Sequence, residues 1–76
     1  MNIQYDLNQI ELELLKNVDS LNKALASGEK HTMQTATAAI LYFNLFLTRR
    51  IVFSLTTGKK CLQYSLTTKG RKALGE

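Results

Sequence analysis

At 76 residues the chain is long enough for one domain, residues 1–76 taken as a unit, and its formal net charge is +4. A domain this short buries only about 60% of its unfolded surface, so its core is thin. A hydrophobic content of 45% excludes a disordered tail, the absence of Pro with only four Gly excludes collagen-like and linker-like chains, and the single Cys61 excludes an internal disulfide. A lone thiol points to a reducing compartment, with the cytoplasm as the default expectation. Residues 1–6 hold neither a basic stretch nor an apolar run, so no signal peptide is expected there.

Charge is unevenly distributed. Residues 1–38 set Lys16, Lys23 and Lys30 against Asp6, Glu11, Glu13, Asp19 and Glu29. Residues 39–76 set Arg49, Arg50, Lys59, Lys60, Lys69, Arg71 and Lys72 against Glu76 alone. A polyanionic partner would therefore meet the C-terminal half.

In chain order, Asp6 followed by Gln9 reads as an N-cap with a capping-box partner. Leu7, Leu14, Val18, Leu21 and Leu25 then keep one helix face apolar, with Ile10 and Leu15 broadening it. Two forms fit: one continuous helix to about Ala26, or a break near Asp19-Ser20 with Ser20 capping a second helix. Ser27-Gly28 ends either form, because Gly adopts the left-handed C-terminal conformation cheaply. After the polar connector Glu29-Lys30-His31, Thr32 caps a further helix expected over residues 32–47. Its first half is small and polar; residues 38–47 are apolar on every side except Asn44, which predicts deep burial or a shared interface.

Ile51, Phe53 and Leu55 alternate with other residues, as do Leu62, Tyr64 and Leu66, the period of half-buried strands. An antiparallel hairpin pairing Leu55 with Leu62, Phe53 with Tyr64 and Ile51 with Leu66 leaves Gly58-Lys59 as a two-residue type II′ turn. Cys61 falls on the opposite face from Leu62. Thr67-Thr68 then cap a short helix through Leu74. The expected class is α+β, mostly α: two or three N-terminal helices, a hairpin and a short C-terminal helix.

The stretch Tyr64-Ser65-Leu66-Thr67-Thr68-Lys69-Gly70-Arg71-Lys72-Ala73-Leu74 resembles the end of the wing in the MarR/PadR-like winged-helix regulators. Arg49-Arg50 before a strand and the Gly58-Lys59-Lys60 tip extend the likeness over about residues 48–74. The resemblance implies a small winged-helix domain that binds double-stranded DNA as a transcription regulator. The helix beginning near Thr32 would then enter the major groove by its N-terminal end, with His31, Thr32, Gln34, Thr35 and Thr37 toward bases or phosphates. Lys59 and Lys60 would meet the backbone or minor groove, and Lys30, Arg49 and Arg50 would add phosphate contacts. Each has an ordinary structural reading too: a solvated first turn for the Thr/Gln cluster, solubility for the lysines, and a helix C-terminus for the arginines. Lys69, Arg71 and Lys72 read as a solvated face, and Tyr42, Phe43 and Phe46 as core or dimer residues.

Catalysis is not expected. The chain has one His, one Cys and no Gly-rich phosphate loop, and Glu11 and Glu13 lie two apart on a helix and diverge. The same shortage of ligands argues against a metal site, and no cofactor is implied. The uncharged run over residues 32–48 spans 17 residues but includes Gln34, Asn44 and several Thr, so it reads as a buried helix rather than a membrane span. A homodimer is expected, packed through the N-terminal helix or residues 38–47, which would favour a palindromic site. The rival reading is a winged-helix module, of the kind found in phage and mobile-element proteins, that binds a host protein through its apolar helix. A DNA reader needs the helix start and wing tip on one positive surface; a protein binder needs an exposed apolar patch.

Overall fold

The computed structural model describes residues 6–29 and 32–76, the side chains of residues 32 and 33 excepted. The elements are α1 (Gln9–Lys16), α2 (Val18–Ala26), α3 (Thr32–Phe43), β1 (Leu47–Phe53), β2 (Lys60–Leu66) and α4 (Thr68–Ala73). The fold is thus α+β with helix predominating, and its order of three helices, an antiparallel hairpin and a short closing helix is compatible with a winged-helix layout.

The first helix starts later than expected, at Asn8 rather than Asp6. Asn8 Oδ1 accepts from the Glu11 amide at 2.8 Å and the Glu11 carboxylate accepts from the Asn8 amide at 3.1 Å, a complete reciprocal box. The long apolar stripe is broken, but at Asn17 and not near Ser20, which sits inside α2. Asn17 closes α1, its amide side chain donating to the Glu13 carbonyl at 2.9 Å. Leu14, Leu15, Val18 and Leu21 are buried as the stripe predicts, whereas Ile10 is exposed. Gly28, at φ +81°, ends α2 as expected, with the Glu29 amide donating to the Ala24 carbonyl.

α3 stops at Phe43, short of Leu47, because Leu45 takes a left-handed conformation at φ +67°. The Phe46 amide reaches back to the Leu41 carbonyl at 2.9 Å, the wrapped C-terminal pattern that usually recruits Gly. The chain thereby turns directly into β1, and residues 38–47 split in fate. Ala38, Leu41, Phe46 and Leu47 are buried, while Ile40, Phe43 and Leu45 are exposed.

The hairpin forms in a different register from the one expected. Leu47 lies opposite Leu66, Ile51 opposite Leu62, and Phe53 opposite Lys60, a slide of four residues. An even slide keeps every side chain on its expected face but changes its partner. The connection is the six residues 54–59. Gly58, at φ +70°, donates its amide to the Ser54 carbonyl at 2.9 Å, and the Ser54 amide donates to Lys59. Ser54 decides the outcome: it is buried and its hydroxyl donates to the Ala26 carbonyl at the end of α2. A two-residue turn at Gly58-Lys59 would extend the ladder through Ser54. Leu55, instead of facing Leu62, is 97% exposed.

The core comprises Leu14, Leu15, Val18, Leu21, Ala38, Leu41, Phe46, Leu47 and Tyr64, where α1 packs on α3 and α2 on β2. Burying a Leu such as Leu15 or Leu41 contributes about 1.5–3 kcal/mol. Asn22 joins α2 to the sheet: its side chain donates to the Tyr64 carbonyl and accepts from the Tyr64 amide, both at 2.8 Å. α4 is capped by Thr67, whose hydroxyl accepts from the Gly70 amide and donates to the Leu45 carbonyl.

Candidate nucleic-acid interface

The hairpin is held along α2. Besides the Ser54 bond to Ala26, a methyl group placed on Gly28 would lie 3.4 Å from Thr57 Cγ2, so the turn touches the connector leading into α3. Thr32 follows Gly28 by four positions, at most ~14 Å of extended chain. The lysine-bearing turn thus touches the chain four positions before the start of α3. Lys59 and Lys60 are both exposed, Lys59 donating its amide to Thr57 Oγ1 and Lys60 opening β2.

The other residues expected at a nucleic-acid surface are distributed more widely. Lys30 and His31 lie outside the described residues. Thr32 is the first residue of α3, Gln34 is exposed, and Thr35 and Thr37 are half-buried. Arg49 and Arg50 are both exposed but point to opposite faces of the hairpin, as neighbours on a strand must. The Arg49 guanidinium lies 4.1 Å over the Tyr42 ring on the helix side. Arg50 bonds Gln63 at 2.8 Å on the other face. One flat partner does not engage both.

That second face opens into a polar hollow of about 420 Å³ whose lining includes Lys16, Asp19, Arg50 and Arg71. No local pattern marks this grouping, since its residues come from four separate elements. Lys69, expected to be solvated, instead donates to the Asn44 carbonyl at 2.9 Å and lies 4.4 Å over the Phe46 ring, closing the C-terminal end of α3. A second, more apolar hollow of about 350 Å³ lies between α1 and α2, lined by Ile10, Leu14, Leu21 and Gln34 among others.

Sequence reasoning also missed an exposed apolar strip. Ala36, Ile40 and Phe43 share the outer face of α3 at helical spacing, and Phe43 stands edge-on to Tyr42, with ring centroids 5.4 Å apart. Arg49 over Tyr42 links this face to β1, where Ile51 and Phe53 continue on the same side of the strand, 68% and 64% exposed. Its signal is the alternation at Ile51, Phe53 and Leu55, which fixes a face without fixing burial. Among the described residues, no helix is long and apolar enough to cross a membrane, and no three potential ligands cluster as a metal site. No family model, no curated protein and no solved structure matches the chain.

Proposed function

We propose that this chain is a winged-helix DNA-binding module that regulates transcription, presenting the start of α3 to the major groove and the 54–59 turn to the adjacent backbone. The observation that supports this reading best is the approach of Thr57, in the turn that carries Lys59, to Gly28, four positions before α3. A major groove about 12 Å wide admits one helix, and a flanking basic loop then reaches neighbouring phosphates. Gln34 is the exposed residue of the first turns suited to bidentate pairing with adenine.

Fluorescence anisotropy of a labelled generic duplex, titrated from about 50 to 200 mM salt, tests the proposal. Binding with a log–log salt slope of roughly −3 to −6 supports it. The double change Lys59→Ala with Lys60→Ala should weaken binding on all sequences and flatten the slope by about 2. Gln34→Ala should act mainly on a cognate site. Unchanged affinity in the double variant removes the turn from the interface.

A second reading, a protein-binding winged helix, is favoured by one specific observation. The outer face of α3 bearing Ala36, Ile40 and Phe43 is apolar, and residues 32–48 carry no charge at all. No duplex binding at the low-salt end selects it.

A further inference from the structure

The two edges of the hairpin are unlike. The amides of Ser54 and Thr67 donate to the carbonyls of Lys59 and Phe46, so the hydrogen-bonded pairs fall at even positions of β1: Thr48, Arg50 and Val52. It follows that the backbone groups of Arg49, Ile51 and Phe53 point away from β2. On β2 the matching outward groups of Tyr64 are taken up by Asn22. On β1 no side chain among the described residues takes up the three outward amides and carbonyls, and the side chains beside them are exposed. A bare strand edge flanked by apolar side chains is a template for another strand.

We propose that the β1 edge pairs antiparallel with β1 of a second copy, centred on Ile51, to make a continuous four-stranded sheet. The register follows by elimination. Centring on Arg50 sets its guanidinium against its own counterpart, which is repulsive, and centring on Thr48 or Val52 overlaps only three residues of each strand. Centring on Arg49 sets two guanidinium groups opposite each other, which is repulsive. Centring on Phe53 runs past the end of the strand into the 54–59 turn. Centring on Ile51 places Ile against Ile and Arg49 against Phe53 of the second copy, a cation–π pairing made twice by the two-fold axis. Arg50 then falls opposite Val52, so neither arginine meets its own counterpart. Antiparallel pairing sends the two 54–59 turns to opposite ends of the sheet, so this dimer does not set two half-sites side by side. The proposal does not rest on DNA binding.

Sedimentation equilibrium of the full chain tests it. The wild type should associate reversibly to dimers near ~100 μM, as expected of an interface below standard size. Ile51→Lys and Ile51→Glu, each changing an exposed side chain, should weaken association by at least about tenfold, because like charges then meet on the axis. An equimolar mixture of the two variants should restore dimers. Hydrogen exchange should show the Arg49, Ile51 and Phe53 amides protected only at the high protein concentration. A wild type that stays monomeric, a dimer indifferent to both substitutions, or a mixture that remains monomeric each overturns the proposal.

Discussion

β1 and β2 are both seven residues long, and each sets three apolar side chains and one cation on the same face of one hairpin, Leu47, Ile51 and Phe53 with Arg49 against Leu62, Tyr64 and Leu66 with Lys60, yet they fare differently. β2 buries Tyr64 completely and half-buries Leu62 and Leu66. β1 buries Leu47 at its start and leaves Ile51 and Phe53 largely in solvent. The difference lies in the neighbours. α2 packs on β2, and Asn22 satisfies its outer edge at Tyr64; α3 meets β1 near Leu47, with Tyr42 reaching as far as Arg49. Alternation specifies which face a side chain takes, while burial needs a layer over that face. A strand can hence be half-covered along its length, and the uncovered part is where a partner fits.

The sharpest test of this contrast is a pair of truncations on the two strands. Tyr64→Ala should cost about 3–5 kcal/mol, the range for removing a buried aromatic side chain, while Phe53→Ala should cost about 0.5 kcal/mol or less. Urea unfolding of both variants at low micromolar protein, below any self-association, measures the difference. Comparable losses at the two sites would mean that β1 is covered after all.

Next in size is Gly70→Ala at the base of the hairpin. A Cβ there would stand 2.3 Å from the Phe46 carbonyl oxygen, a backbone atom that cannot swing aside. Overpacking of this kind costs about 2–3 kcal/mol. Gly70 is thereby the residue of the Thr67-Thr68-Lys69-Gly70 segment with the strictest demand: Thr67 caps, Lys69 closes α3, and Gly70 lets α4 approach the chain entering β1. Thermal unfolding should show the drop, and little change would mean that α4 can move outward freely.

Asn22→Ala should cost about 2 kcal/mol, because it leaves the Tyr64 amide and carbonyl without partners at a half-buried edge. In hydrogen exchange the Tyr64 amide should lose its protection, making the outer edge of β2 behave like that of β1. Retained protection at Tyr64 would show that another group closes that edge.

Much of this architecture was legible from the chain because it rests on local chemistry. The apolar stripe, Gly28, and the Thr67 cap each act within a few residues and appear where they were expected. The misreadings share a cause in tertiary contact. Ser54 anchors to Ala26, 28 residues away, and that bond moves the turn and slides the register by four. Asn8 won over Asp6 because its side chain completes a capping box, and the break fell at Asn17, whose side chain closes α1 on the Glu13 carbonyl without capping α2. At the candidate interface, Lys59 and Lys60 were legible as an exposed basic tip. The separation of Arg49 from Arg50 followed from strand geometry. The cation–π contact of Arg49 with Tyr42 needed the fold.

The smallest effect, and the only one expected to stabilise, concerns the joint where α3 passes into β1. Leu45 holds a left-handed backbone at φ +67°, a conformation that costs an L-residue with a Cβ roughly 1–2 kcal/mol. Its side chain is 68% exposed, so little burial offsets that cost. Gly tolerates the conformation but gains entropy in the unfolded chain, which removes part of the benefit. Leu45→Gly should therefore raise stability by about 0.5–1 kcal/mol in urea unfolding. The position then separates two explanations for an exposed leucine. If the substitution stabilises the isolated monomer while leaving self-association through β1 unchanged, Leu45 is simply strained. If it destabilises, the leucine side chain packs on the uncovered side of the joint, and the contrast between the two strands begins farther along β1 than Leu47.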